Sequence, residues 1–262
     1  MTRLRRSRFA TPMLLLVVLV AVGTLYAAFG GSSRAAAAQA TDTSTVAQGR
    51  SLFVNGCSSC HGINAQGGSY GPSLIGVGAA AVSFQVGTGR MPLAQPGAQA
   101  QRRDPQYTED EINALAAYVA TLGAGPAIPT AEDLDISNLT DEQIALGGKL
   151  FRTNCASCHN FDGRGGALSQ GRYAPSIIGT DLQHVWEAMI TGPENMPVFA
   201  NTTLTPDDKR MIMAYIQTVQ AQPNPGGAAL GRVGPVPEGA VIWVVGLGLL
   251  AIAAVWIGAK VS

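Results

Sequence analysis

The stretch AQGRSLFVNGCSSCHG, residues 47–62, returns in altered form as ALGGKLFRTNCASCHN at 145–160. Working outward, YGPSLIGVG (70–78) is answered by YAPSIIGTD (173–181), and GTGRMP (87–92) by TGPENMP (191–197). TEDEINALAAYVATL (108–122) is answered by TPDDKRMIMAYIQTV (205–219). Four matched blocks in one order, offset by 97 to 105 residues, mean two copies of one domain. The period is too long for a solenoid, whose units repeat every ~20–50 residues.

Each copy reads as small and mostly helical. A helix leads into Cys57 in the first copy. The closing helix starts at Thr108, where Glu111 completes a capping box before the apolar face of Ile112, Leu115, Ala116 and Val119. Copy two closes from Thr205 in the same way, with Pro206 at the first helical position and Asp208 at the capping-box spacing. Gly- and Pro-rich loops lie between, with no alternating strand pattern. The expected fold class is mainly α, with tandem domains at 45–123 and 141–221 joined by a linker at 124–140.

All four Cys and two of the three His fall into Cys57-Ser-Ser-Cys60-His61 and Cys155-Ala-Ser-Cys158-His159. C-x-x-C-H is the attachment signal for c-type haem. Cysteines at i and i+3 of a helical turn project to one side, matching the two vinyl groups of one porphyrin, and the adjacent His reaches the iron. Two covalently bound haem c groups are therefore expected, on Cys57 and Cys60 and on Cys155 and Cys158, with His61 and His159 as metal ligands. The competing readings explain less. A thioredoxin-like pair needs a preceding strand in a βαβ unit, and none is visible. A zinc site built from both CxxC pairs leaves the adjoining histidines unexplained. Structural disulfides do not favour so short a spacing.

The repeat also selects a sixth ligand. Met91 is the single methionine after the first motif, and among Met189, Met196, Met211 and Met213 only Met196 aligns with it, both preceding proline. Met91 and Met196 are the expected axial ligands, since His/Met coordination raises the potential and suits electron transfer. The other three read as flexible core fillers. His184 has no counterpart in copy one and reads as a surface or core residue.

Composition excludes several classes. With 17 basic and 17 acidic residues in 262, there is no basic surface for a nucleic-acid partner. Four Cys are too sparse for a disulfide scaffold. Aromatics are only 6% while Gly reaches 32 and Pro 15, so apolar bulk is thin for domains of this size. An apolar macrocycle in each copy supplies the missing centre.

Much of the apolar bulk sits at the ends. Arg3, Arg5, Arg6 and Arg8 precede the apolar run Met13 to Phe29, so residues 1–30 read as a signal anchor or a signal peptide. Small-residue cleavage candidates follow Arg34, within a linker at 31–44. Val241 to Gly258 carries no charge, with Trp243 and Trp256 near its two ends, and a transmembrane helix is expected at 240–259. A buried core helix is the alternative. Residues 222–239 form a Pro/Gly-rich tether. The arginines at one end and Lys260 at the other put both termini in the cytoplasm and the middle outside the cell membrane.

At these residues the chain resembles the class I cytochrome c fold, twice over. Gly49, Phe53 and Tyr118 match that family's packed terminal helices, and Gly147, Phe151 and Tyr215 repeat the pattern. Pro72 and Pro175 stand where the family's proline carbonyl orients the ligating His. The full layout looks like the dihaem cytochrome cc subunit of the actinobacterial-type cytochrome bc complex, a menaquinol–cytochrome c reductase. That resemblance implies a Rieske iron–sulfur subunit as electron donor, a cytochrome b subunit as neighbour and a terminal cytochrome c oxidase as acceptor. It implies activity as the electron-transfer subunit of the reductase, with no independent substrate chemistry. Alternatives are the dihaem subunit of a cbb-type oxidase or of a periplasmic dehydrogenase, a dihaem peroxidase, and a binding protein with vestigial motifs.

Overall fold

The computed structural model describes residues 10–29, 43–95, 97–222 and 235–261. The N-terminal arginines, the cleavage candidates and most of the 222–239 tether lie outside the described residues. The chain divides into two units, residues 1–44 and 45–262. The first contains helix α1, Ala10–Phe29, with its apolar side chains from Met13 to Val22 exposed.

Copy one consists of α2 (Thr43–Gly56), the one-turn α3 (Ser58–His61), α4 (Ala79–Gly87) and α5 (Glu109–Ala120). A short α6 (Ala131–Leu134) follows. Copy two repeats the order with α7 (Asp141–Asn154), the one-turn α8 (Ala156–His159), α9 (Leu182–Thr191) and α10 (Pro206–Ala221). It adds a small hairpin of β1 (Gly166–Ala167) and β2 (Tyr173–Ala174), antiparallel with Gly166 opposite Ala174. The loops were expected to lack strands. The hairpin has only two residues per strand, too short for an alternating pattern to show in the sequence.

In each copy the first and last helices cross at close range because a glycine removes the side chain between them. A Cβ on Gly49 would run into the Ala114 carbonyl, and one on Gly147 into that of Met211. Beside each crossing lies an aromatic pair. Phe53 and Tyr118 have ring centroids 5.3 Å apart, tilted by 49°; Phe151 and Tyr215 are 5.5 Å apart, tilted by 45°. Both phenylalanines are 1% exposed, so these pairs are centres of their cores. The capping boxes at Thr108/Glu111 and Thr205/Asp208 form as the sequence implies, and Thr140/Gln143 starts α7 the same way.

The segment expected as a plain linker is tied to both copies. Ile128 packs on the core of copy one, and Leu134 and Ile136 on that of copy two. The Pro126 carbonyl accepts from the N–H of Ala80 at 3.1 Å, and a Thr130/Asp133 capping box nucleates α6. Four residues of helix are below what periodicity can reveal, so composition alone suggested a spacer.

The copies also meet each other directly, α4 against α9. At the end of the second unit, α11 runs from Pro235 to Val261. Its stretch Glu238–Lys260 is long and apolar enough to cross a membrane, with none of it buried. At about 1.5 Å per residue it reaches roughly 35 Å, against a hydrocarbon core of about 30 Å. A core helix would be buried, so the core-helix alternative fails. Trp243 and Trp256 are exposed, and the ammonium of Lys260 sits 4.7 Å from the Trp256 ring centroid.

Candidate functional site

Both CxxCH segments adopt the same backbone turn. In copy one the Cys57 carbonyl accepts from the N–H of Cys60 at 3.2 Å and of His61 at 3.0 Å. In copy two the Cys155 carbonyl accepts from Cys158 at 3.1 Å and His159 at 2.9 Å. Each turn brings its two cysteines and its histidine to one end of a longer helix.

A proline carbonyl fixes each imidazole. His61 Nδ1 lies 2.7 Å from the carbonyl oxygen of Pro72, and His159 Nδ1 lies 2.9 Å from that of Pro175. A carbonyl can only accept, so Nδ1 carries the proton and Nε2 keeps its lone pair for a metal. Burial, partly opposed by the Pro175 hydrogen bond, lowers the His159 pKa and favours the neutral ring. The proline loops rest on glycine: Gly67 and Gly165 have φ of 86° and 85°, and a Cβ on either would meet the loop backbone. Their N–H groups donate to the carbonyls of His61 and His159 at 2.7 and 2.8 Å.

Of the other expected residues, Cys57, Met91, Cys155 and Met196 lie on the cores of their copies. In copy two Cys155, Cys158, His159 and Met196 line one open cavity, walled by Phe151, Val185, Phe199 and Ile212. Apolar walls with a few convergent polar groups are the properties of a cofactor pocket. In copy one Cys57 and Met91 pack on the core around Phe53 and Leu115. Met189 and Met213 belong to the core cluster of copy two and Met211 is buried, as expected of filler; Met189 also borders the cavity.

The rival readings of the cysteines lose ground. All four are free, so no disulfide joins them. Among the described residues no three His, Cys, Asp or Glu side chains gather as a metal-binding cluster, which removes the shared zinc site. Burial, then the adjacent Cys158, pushes the Cys155 thiol up to about 12, and burial, then Cys60, raises Cys57. A redox-active CxxC needs the opposite shift.

The cavity of copy two is not built by copy two alone. Phe84, Thr88, Arg90, Gln99 and Arg102 of copy one also line it. The loop that carries Met91 continues across the seam. Gln99 accepts from the Tyr173 N–H at 3.0 Å and donates to its carbonyl at 2.8 Å. The Ala100 N–H donates to Glu194 Oε1 at 2.6 Å, two residues from Met196. Further along, His184 Nδ1 lies 2.8 Å from Oε2 of Glu187, a carboxylate with no exposure. Gln183 Nε2 bridges Glu187 at 3.0 Å and Ser83 of copy one at 3.1 Å. His184 is therefore a seam residue, and it also lines the cavity of copy two.

These bridging residues were missed by reading the copies as equivalents. A signal existed in their difference. Sixteen residues lie between Met91 and Thr108 but eight between Met196 and Thr205, and the surplus contains Gln99, Ala100 and Arg102.

Known proteins resemble this chain in sequence. The family profile described as "Cytochrome c" matches residues 46–123, and that described as "Cytochrome C oxidase, cbb3-type, subunit III" matches 142–216. The two domains are those of cytochromes c, and they carry two covalently bound haem c groups. A protein of Corynebacterium efficiens named cytochrome bc1 complex cytochrome c subunit is 45% identical, over 98% of this chain and 91% of that protein. Its namesake in Mycobacterium tuberculosis is also 45% identical, over 98% of this chain and 93% of its own length. The cbb3-type cytochrome c oxidase subunit CcoP of Rubrivivax gelatinosus is 33% identical over only 35% of this chain. At 45% identity over nearly the whole length of both chains, the chain belongs to the family of cytochrome bc1 complex cytochrome c subunits.

Proposed function

We propose that the chain is the membrane-anchored dihaem electron-transfer subunit of a respiratory quinol–cytochrome c reductase. It takes electrons from a Rieske iron–sulfur subunit, beside cytochrome b, and passes them to a terminal cytochrome c oxidase. The observation that carries this reading is the duplication. Two CxxCH turns, each with its histidine braced on a proline carbonyl, lie in one chain with a membrane-length helix.

Cys57 and Cys60 would hold one haem by thioether bonds, and Cys155 and Cys158 the other. His61 and Met91 would ligate the iron in copy one, and His159 and Met196 the iron in copy two. The bound haem supplies one-electron exchange between two valences of its iron. The chain's own residues do the rest. The Pro72 and Pro175 carbonyls fix ring orientation and proton position, so each Nε2 keeps its lone pair for a metal. The apolar walls around Phe151 and Phe199 exclude water from the copy-two site, which favours the less charged, reduced centre. No substrate chemistry falls to this subunit, and the reductase activity belongs to the complex.

The haem domains, 45–123 and 141–221 with their connector at 124–140, stand on the extracytoplasmic side. The tether at 222–239 joins them to the span at 240–259, leaving the C-terminus cytoplasmic. Tethering raises effective concentration at donor and acceptor alike. The N-terminal segment 1–30 is a signal peptide or an anchor, followed by a linker at 31–44.

Affinity purification from mild detergent tests the assignment. Recovery of cytochrome b and Rieske subunits is the expected result. A cbb-type oxidase core in their place would overturn it and favour the second reading, which the 142–216 match supports.

A further inference from the structure

We propose that copy one completes the haem site of copy two, with the guanidiniums of Arg90 and Arg102 receiving the propionate carboxylates of the second haem. This rests on the reading that Cys155 and Cys158 carry that haem.

Arg90 is an unusual arginine. It is 9% exposed, yet among the described residues no carboxylate oxygen lies within 4 Å of its nitrogens. Among the described residues its side chain makes one hydrogen bond, from Nη1 to Thr88 Oγ1 at 2.6 Å. The guanidinium carbon stacks 4.8 Å from the centroid of Phe84, so the fork is held in one orientation before any anion arrives. Burial lowers its pKa, with the charge of Glu194 opposing, but an arginine remains charged in a protein. A buried cation without an anion is a standing cost that a fold keeps only where the anion is supplied from elsewhere.

The side chain lines the cavity that holds Cys155, Cys158 and His159, and Arg102 lines it too. Arg102 is oriented by Thr180 of copy two, its Nη1 lying 3.4 Å from Thr180 Oγ1. The one carboxylate on the lining is Glu194, with Oε1 already engaged by the Ala100 N–H. The lining thus holds more cationic than anionic charge. A haem whose vinyl groups are spent on two cysteines has two carboxylates left to place. Arginine matches a carboxylate bidentately, with a directionality lysine lacks.

Arg90 directly precedes Met91 in the chain. The axial-ligand loop of one haem and the anion rim of the other are then a single backbone segment, and the site of copy two is incomplete without docked copy one.

The test uses the full chain in its membrane, with haem carrying carbon-13 in its propionate carboxyls. Redox-induced infrared difference spectra are recorded together with potentiometric titration of both haems. Met196→His, which lowers the potential of the copy-two haem, identifies which bands belong to it. Arg90→Leu is expected to move the labelled carboxylate bands and lower the potential of that haem alone. Arg90→Lys keeps the charge but not the fork, so the bands move while the potential stays near wild type. Arg102→Leu moves the same bands.

Labelled bands of the copy-two haem unchanged in both Arg90→Lys and Arg102→Leu overturn the proposal and leave the pair as seam residues. If Arg90→Leu does not accumulate, those two variants decide the question by themselves. A Cys155→Ser/Cys158→Ser chain that still stains for two haems overturns the underlying attachment reading instead.

Discussion

The imidazole of His184 stands edge-on to the ring of Phe84, centroids 6.1 Å apart and planes at 85°, across the seam between the two copies. Phe84 has a second role on its other contacts, stacking under Arg90. Behind His184 lies the carboxylate of Glu187, held from Gln183 as well. One aromatic side chain of copy one thus meets both the half-buried His184 of an ionisable pair and the lining of the neighbouring cavity.

Truncation at the seam should loosen the docking of the copies. Phe84 is 5% exposed, and Phe84→Ala is expected to cost about 3 kcal/mol through lost burial and the cavity left behind. Thermal unfolding and limited proteolysis within the 124–140 connector check this. An unchanged Tm with unchanged cleavage would show that the seam contributes nothing.

Removing the histidine while keeping Phe84 probes the buried carboxylate separately. His184→Ala takes one donor from Glu187, whose side chain has no contact with solvent, and is expected to cost about 1–3 kcal/mol. Adding Glu187→Gln to that variant should recover part of the loss, because a neutral amide is less costly to bury. A double variant as unstable as the sum of the two singles contradicts this.

The helix crossings give a contrast within one residue type. Gly147→Ala places a Cβ against the Met211 carbonyl and should cost about 1–3 kcal/mol by overpacking. Gly246→Ala in α11, where a Cβ meets nothing within 4 Å, should leave stability unchanged. The measurement is the unfolding temperature of the purified holoprotein.

For the proposed methionine ligands the readout is optical. Met91→Leu or Met196→Leu should each abolish the near-infrared sulfur-to-iron band of one haem and lower its potential. Met213→Leu, a volume-conserving change at a fully buried core position, should keep both bands. Retention of both bands in Met196→Leu would falsify the ligand assignment in copy two.

Attachment and folding are expected to be linked. Cys60→Ala or His61→Ala should leave copy one unfolded and protease-sensitive, since binding to the folded state alone stabilises that state. Haem staining of Cys57→Ser/Cys60→Ser on a denaturing gel should fall to half of the wild-type signal. A protease-resistant first copy without haem sinks this coupling.

Much of the fold and the candidate sites was legible because local chemistry and the repeat spoke together. CxxCH is a turn whose meaning is contained in five residues, and the Thr-x-x-acid boxes announce helix starts within four. Met196 was separated from three other methionines only by its alignment with Met91. The roles of Gln99 and His184 were not legible, since each depends on a partner 74 or 100 residues away in the chain, Tyr173 for Gln99 and Phe84 for His184, and that of Arg90 depends on the distant cavity it lines. No periodicity links such positions.

The sequence by itself therefore determined two helical copies, the two cysteine–histidine turns, the methionine candidates and an apolar helix of membrane length. Each of these follows from the order of residues over a few turns or from the comparison of one copy with the other. Only the tertiary structure decided that the copies are joined along α4 and α9, that the connector packs on both cores, and that copy one contributes guanidiniums to the cavity of copy two. The physical reason is that a seam is made by surface complementarity between distant segments, and either copy read alone shows only half of it.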